Sequence, residues 1–208
     1  DDAGLTIANP GGFVEGINVH NLLTAEPRGR NPCLMDALKR TGLAERTGRG
    51  IDRIFEGALN YGRPLPAYSR SNRRGVSVLL PRSVPDKAFV ELLAEERERS
   101  GKSMSLDGLL ILDKLKSERR CGFDVLSGSL DMSDQRLRTV LGQLTEAGLV
   151  ESAGVGARRT YMLGAKVYRR SGRAMEYVRQ SDIDRVRYPE LIIELMHEQK
   201  SVSKNDVM

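Results

Sequence analysis

The hydrophobic positions of residues 105–164 repeat with a helical period three times and then alternate. Leucines spaced three and four residues apart predict a first helix over Leu106–Arg119. A second helix is predicted from Phe123 to about Leu130. A third begins after Ser133, a favourable N-cap, and its core-facing stripe consists of Leu137, Val140, Leu141 and Leu144. The pattern therefore predicts three consecutive helices.

A glycine-punctuated hairpin follows the third helix. Gly148 ends that helix, and Leu149–Val150 starts a strand. Gly154–Arg159 forms a flexible basic tip, and Thr160–Leu163 forms the returning strand. Three helices followed by a hairpin are the order of a winged helix-turn-helix, which places its last helix in the major groove of DNA.

The polar face of the third helix and the hairpin tip supply the candidate DNA-contacting residues. Arginines contact phosphates or guanine edges, and glutamine and threonine read bases. The candidates are Ser133, Gln135, Arg136, Arg138, Thr139, Arg158 and Arg159. Two carboxylates near the helix start, Asp131 and Asp134, oppose phosphate binding, and winged helices also serve as protein–protein modules. Both interpretations remain open on the sequence alone.

Shorter elements are predicted before and after this region. They are a strand at Leu5–Ile7, a turn at Asn9–Gly12, helices at Ile17–Leu23, Leu34–Thr41 and Gly50–Asn60, a strand at Val76–Leu80, and a helix at Pro85–Arg99 with a solvent-exposed charged end. In the Gly50–Asn60 helix, the residues predicted to face inward are Ile51, Ile54, Phe55, Ala58 and Leu59. A basic segment at Lys166–Gln180 and residues Glu190–Gln199 are also predicted to be helical.

The prolines of Pro81–Pro85 mark the predicted domain boundary. We expect an α+β protein with an amino-terminal α/β domain over 1–83, a linker helix over 84–104, and a winged helix over 105–165. Residues 166–208 are expected to be a helical linker and the truncated start of a second winged helix, because they repeat the layout of 106–126. Both ends of the chain read as cut, so we expect a piece of a longer protein.

The positive charge of the chain is concentrated on the predicted winged helix. The net charge of the 208 residues is +5, with a pI of about 9.4. Arg119–Arg173 contains ten lysines and arginines against five acidic residues, whereas the remaining residues balance at 23 against 23. This favours a nucleic-acid partner, although an arginine-rich solvated surface would give the same count.

The remaining chemistry-bearing residues are sparse. Cys33 and Cys121 form no zinc-type cluster, and His20 and His197 stand alone, so neither a metal site nor a catalytic site is predicted. No apolar run is long enough to span a bilayer and no signal peptide is visible, so a cytoplasmic protein without membrane association is expected.

Two glycine clusters near the amino terminus could cradle phosphate, since glycine lets backbone N–H groups approach anions. They are Asn9-Pro10-Gly11-Gly12 and Thr47-Gly48-Arg49-Gly50, the second at a helix start. Each alone also fits a turn or a helix entry. Together with Arg30-Asn31-Pro32 and the Gly42–Ile54 segment, they resemble the carboxy-terminal domain of RecG-helicase-like transcriptional regulators. Those proteins carry an upstream Schlafen-like AlbA (divergent AAA) domain, a histidine-kinase-type ATPase-like domain and winged helices.

The resemblance implies a nucleotide site in the longer protein. Asn9, Gly11 and Gly12 would form the first phosphate-and-base loop, and Gly48 and Gly50 would form the glycine box beside the phosphates. Asn9 stands where active members of the wider superfamily have an adenine-contacting Asp. The helix carrying the general base and the magnesium ligand would lie upstream of Asp1, and no Walker or helicase motif is present. ATP binding is thus implied for the parent, and hydrolysis by this chain alone is not.

Three functions follow from these patterns. The first is a DNA-binding transcriptional regulator that contacts double-stranded DNA, with no cofactor in this chain. The second is a nucleotide-binding, helicase-related ATPase-like protein. The third is a non-catalytic oligomerisation scaffold, with Pro85–Arg99 and Lys166–Gln180 as contact helices. Since regulators that read palindromic DNA are commonly dimers, a homo-oligomer is compatible with the first function.

Overall fold

Two antiparallel strands begin the fold. The structure is a computed structural model that describes residues 3–44 and 48–170. Strand β1 (Gly4–Pro10) pairs with β2 (Gly75–Pro81), so that Gly4 lies opposite Pro81 and Pro10 opposite Gly75. The predicted turn at Asn9–Gly12 is wrong, because Asn9 and Pro10 complete the ladder with β2, Gly11 forms an isolated bridge with Gly75, and Gly12 is in irregular chain without a turn. The helix predicted at 190–199, the second winged helix and most of the Lys166–Gln180 helix lie outside the described residues.

Two helices connect these strands. Helix α1 (Pro32–Arg40) starts where the Asn31 side chain accepts a hydrogen bond from the backbone N–H of Leu34. Helix α2 (Arg49–Asn60) starts after Gly48 and buries Leu59. Ile54, predicted to face inward, is instead exposed at the surface of α2.

The predicted helix at Ile17–Leu23 does not form. The Asn21 side chain accepts a hydrogen bond from the backbone N–H of Asn18 and donates one to the carbonyl of Gly16. The Asn18 side chain in turn accepts from the backbone N–H of His20. Such local side-chain bonds compete with helical hydrogen bonding, and the segment adopts consecutive turns.

The remaining elements are helical apart from one small sheet. Helix α3 (Lys87–Ser100) is followed by α4 (Leu106–Glu118), β3 (Arg120–Gly122), α5 (Phe123–Leu130), α6 (Asp134–Glu146), β4 (Val150–Ala153), β5 (Thr160–Leu163) and α7 (Ala165–Arg170). The sheet is antiparallel with strand order β3-β5-β4. The three helices and the hairpin are thus present as the pattern predicted. Strand β3 was not predicted, because three residues are too few to show alternation.

One hydrophobic core extends across the predicted domain boundary. The stripe of α6 (Leu137, Val140, Leu141 and Leu144) is buried in it with the leucines of α4. Leu59 of α2 belongs to the same cluster, and Leu23, Phe55 and Leu65 pack against it. Residues before and after Pro81–Pro85 therefore share a core.

Glu96 on α3 is buried, whereas Arg97, Glu98 and Arg99 of the charged helix end are exposed as predicted. Only 6% of Glu96 is accessible. Glu96 accepts hydrogen bonds from Arg99 in the next turn and, at 3.4 Å, from the Nζ of Lys166 on α7. The hydrogen bond from Arg99 is the main reason that the pKa of Glu96 lies below its usual value. The pair Glu96–Lys166 joins α3 to the helix that follows the hairpin.

Candidate nucleic-acid interface

The two carboxylates near the start of α6 each accept a hydrogen bond from a hydroxyl group elsewhere in the fold. Ser133 is the N-cap and accepts a hydrogen bond from the backbone N–H of Arg136. The Asp134 carboxylate accepts from the Ser127 hydroxyl at 3.0 Å, and the Asp131 carboxylate accepts from the Thr24 hydroxyl at 2.8 Å. Thr24 thereby ties an amino-terminal turn directly to the loop that precedes α6.

The polar face of α6 is exposed over its first two turns, as predicted. Gln135, Arg136, Arg138 and Thr139 all lie at the surface. Three of these side chains make different contacts within the protein. The Thr139 hydroxyl donates to the Gln135 carbonyl within the helix at 2.9 Å.

The two arginines of α6 have different partners. The Arg136 guanidinium donates two hydrogen bonds to Asp107 near the start of α4, one of them from Nη2 to Oδ1 at 2.7 Å. Arg138 lies over the ring of Phe123, with its guanidinium carbon 4.2 Å from the ring centroid. A cation stacked on an aromatic face keeps its outer N–H groups available, whereas a bidentate pair with a carboxylate uses them.

The hairpin tip lies beside α6, next to Arg138. Gly154 has a φ of +85°, which lets the chain turn out of β4, and a 3-10 turn at Gly156–Arg158 carries the tip. Arg158 and Arg159 are exposed. Arg159 and Arg138 line the same cleft between α6 and the hairpin, together with Tyr161 of β5. The cleft consists of two pockets of about 440 and 360 Å³ that share these three residues, and each has one carboxylate in its lining, Glu146 in the larger and Asp124 in the smaller.

Four contacts around this face were not found by sequence reasoning. They involve Asp107, Phe123, Tyr161 and Thr24, none of which lies in α6 or in the hairpin tip. A carboxylate near the start of the first helix and an aromatic residue at the start of the second are weak signals, since both also fit helix entry.

The glycines of the first predicted phosphate loop are packed against protein. Gly11 has a φ of +87°, and a side chain there would lie 2.7 Å from the guanidinium of Arg30. A side chain at Gly12 would meet the backbone of Asn72 and Arg73 at 2.7–2.9 Å. The Nη2 of Arg30 also donates to the Gly12 carbonyl. A phosphate at Gly11 would therefore have to displace the Arg30 guanidinium or bind beside it. Asn9 precedes this position and pairs with Val76 near the end of β1.

The second predicted phosphate loop is more open. Gly48 adopts a left-handed conformation at the N-cap of α2 with no side-chain cap, and a side chain at Gly50 would meet open space. Both glycines are exposed. Gly48 lies against Pro27 and Gly11 against Arg30, so the two loops contact opposite ends of one four-residue segment. The start of α2 is open at Gly50, whereas Gly11–Gly12 is closed by Arg30 and by the backbone of residues 72–73.

Within residues 3–44 and 48–170, no cluster of three or more His, Cys, Asp and Glu side chains could hold a metal ion. Over the same residues, no helix has both the length and the apolar character needed to cross a bilayer.

Comparison with known proteins connects the amino-terminal region to one family. Residues 2–80 match the family described as "Putative ATP-dependent DNA helicase recG C-terminal". This match supports, at the level of the family, the resemblance drawn from the glycine motifs. No curated protein matches the sequence.

Among solved structures, the DIP2311 protein from Corynebacterium diphtheriae is similar with a TM-score of 0.64 and 23% identity. The similarity covers 79% of this chain and 34% of that one, so the chain spans about a third of the length of that structure. It shows a common mixed α/β fold. The oxidized form of MarR from E. coli aligns over 61% of this chain and 88% of its own, at 14% identity and a TM-score of only 0.31.

Proposed function

We propose that this chain is the DNA-binding part of a transcriptional regulator and that residues 105–165 form a winged helix contacting duplex DNA. The observation that carries the proposal is the convergence of Arg138 and Arg159 on one exposed cleft beside the polar face of α6. A helix with such a face fits the major groove, and a basic hairpin beside it fits the flanking phosphates.

The contacts in this proposal are divided among the exposed side chains. Gln135 and Thr139 read base edges from the first turns of α6, and Arg138 contacts a phosphate or a guanine from the cleft. Arg158 and Arg159 neutralise phosphates from the hairpin tip. Arg136 orients α6 through Asp107, and its role in DNA contact is secondary.

The carboxylates near the start of α6 disfavour a phosphate at that end of the helix, because a hydrogen bond from a neutral hydroxyl leaves their negative charge in place. Asp131 and Asp134 each accept a hydrogen bond from a hydroxyl group, and these bonds orient them within the fold. Ser133, between them, caps the helix start by accepting a hydrogen bond from the backbone N–H of Arg136.

Fluorescence anisotropy of a labelled duplex at two salt concentrations tests the proposal. We expect binding at low salt that weakens steeply as salt rises, because each phosphate contact releases a counterion. An Arg158→Ala/Arg159→Ala variant should bind more weakly, with a shallower salt dependence. Absence of binding at low salt would reject the proposal.

A second candidate function, nucleotide binding, is favoured by the family match over residues 2–80 and by the open turn at the start of α2. In it, the backbone N–H groups after Gly48 would hold the phosphates of ATP, and the bound nucleotide would supply a regulatory signal. Titration of a fluorescent ATP analogue into the chain and into a Gly50→Asp variant tests this. The added carboxylate should abolish binding, and equal binding by both proteins would argue against the site.

We further propose that the regulator is a cytoplasmic homo-oligomer. Helices α3 and α7 bury apolar side chains within one chain, among them Phe89 and Leu92 of α3 and Val167 of α7. A contact between copies through these helices must therefore use their exposed faces. Light scattering coupled to size-exclusion chromatography measures the mass directly, and a monomeric mass at micromolar concentration would contradict this part of the proposal.

A further inference from the structure

A second basic surface lies away from α6, on the amino-terminal part of the chain. We infer that Arg30, Arg73 and Arg74, hereafter the arginine cluster, contact the phosphate backbone of the same DNA duplex that α6 and the hairpin bind. This inference rests on the proposed function and extends the interface beyond residues 105–165.

The fold brings the guanidinium of Arg30 and the backbones of Arg73 and Arg74 together at Gly11–Gly12. The backbone N–H of Gly11 donates to the Arg74 carbonyl at 2.8 Å, and that of Gly12 donates to the Arg73 carbonyl at 3.2 Å. From the opposite side, Arg30 donates to the Gly12 carbonyl at 2.5 Å. Residues separated by at least 18 positions in the sequence thus meet at these two glycines.

A tight turn fixes the two arginines that precede β2. The backbones of Asn72 and Gly75 exchange hydrogen bonds, and the Asn72 side chain accepts from the Arg74 N–H at 2.8 Å. This arrangement holds Arg73 and Arg74 at the tip of the turn, where both are exposed. Side chains presented from a rigid turn lose less entropy on binding than side chains on a flexible loop.

The cluster carries three positive charges. Among residues 3–44 and 48–170, no carboxylate forms an ion pair with Arg30, Arg73 or Arg74. Like charges held together at a surface create a positive potential that attracts a polyanion. The cluster also lies outside the segment Arg119–Arg173, whose charge excess first pointed to DNA.

A single contact places this surface near α6. The Thr24 hydroxyl lies 2.8 Å from the Asp131 carboxylate, and Asp131 is two residues from the N-cap of α6. Arg30 follows Thr24 by six residues, so an extended chain would separate them by at most about 22 Å. One turn of B-DNA is about 34 Å long. The Cα atom of Arg30 therefore lies within about 22 Å of that of Thr24, which is less than the length of one helical turn of a duplex.

Duplex length provides the test. We would measure anisotropy with duplexes of about 12 and about 24 base pairs, the shorter one covering little more than one turn. The Arg73→Gln/Arg74→Gln variant should bind the longer duplex about tenfold more weakly at low salt and lose less affinity for the shorter one, which leaves less DNA beyond α6 for the cluster to contact. The slope of log affinity against log salt for the longer duplex should decrease by about 1.8, the value for two lost phosphate contacts.

Two further variants make each outcome decisive. Lys87→Gln/Arg97→Gln removes two exposed positive charges from α3 and is the matched control for net charge. Equal losses in this control and in Arg73→Gln/Arg74→Gln would overturn the inference. Arg138→Gln/Arg159→Gln should weaken binding of both duplexes. If it does not, the proposed function of α6 fails while the length-dependent contribution of the arginine cluster can still be measured.

Discussion

The ion pair between Arg136 and Asp107 separates the structural arginine of α6 from the DNA-contacting one. Two parallel hydrogen bonds join the guanidinium to the carboxylate, across the contact between α6 and α4. The Asp107 side chain is 13% exposed and that of Arg136 is 59% exposed. We therefore expect Arg136→Gln to reduce stability more than DNA affinity, and Arg138→Gln to do the reverse.

The size of the effect follows from the exposure of the two partners. Exposed ion pairs contribute about 0.2–1 kcal/mol, and bidentate geometry with a largely buried carboxylate favours the upper end of that range. We expect a coupling energy of about 1 kcal/mol between Arg136→Gln and Asp107→Asn. The Arg138→Gln change removes a contact worth about 1–3 kcal/mol in binding, which corresponds to a loss of about 5- to 150-fold in affinity.

A double-mutant cycle measures the coupling. The four proteins would be unfolded in urea, and the free energies of unfolding compared, because the cycle cancels the effect of Asp107 on the dipole of α4. DNA affinity of Arg136→Gln should stay within about threefold of the native value. If the cycle gives no coupling and Arg136→Gln loses as much DNA affinity as Arg138→Gln, the division of roles is wrong.

Three other predictions concern the fold. Glu96→Gln should lower the free energy of unfolding by about 1 kcal/mol, since its partners Arg99 and Lys166 are partly exposed and screened. The pKa of Glu96 is lowered in the folded state, so its contribution should be present above about pH 4.3 and be lost as pH falls through the folded pKa. If the native protein and Glu96→Gln still differ in free energy of unfolding below that pH, this explanation is contradicted. Leu137→Ala should cost about 2–5 kcal/mol, because the side chain is fully buried, and thermal unfolding of Thr139→Ala provides the exposed control. Gly12→Ala should destabilise by about 1–3 kcal/mol through overlap with the backbone of residues 72–73, whereas Gly50→Ala in open space should be neutral or stabilising; equal effects in chemical denaturation would refute the packing at Gly12.

The helices and the hairpin of residues 105–164 could be predicted because their signals are local. Ser133 caps α6 and Leu137 lies in its buried stripe, as capping preference and helical period indicate. Strand β3 could not be predicted, since its three residues are defined by pairing with β5. The helix predicted at Ile17–Leu23 failed because two asparagine side chains bond to the nearby backbone instead.

The candidate site was predictable only as a set of exposed residues. Periodicity placed Arg136 and Arg138 on the polar face of α6, but their partners come from α4 and α5. Likewise, Gly11 and Gly12 suggested a phosphate loop, whereas in the structure they pack against Arg30 and against the turn at residues 72–75. The buried state of Glu96 also depends on a distant residue, Lys166. Long-range contacts decide all three cases.

NMR is the most direct test of whether α6 and the hairpin contact duplex DNA. Backbone amide shifts of the chain would be recorded while a duplex of about 12 base pairs, little more than one turn, is added. We expect the largest changes over residues 133–139 and 154–159, with small changes along the exposed face of α3. The largest changes on α3, or no changes at low salt, would contradict it.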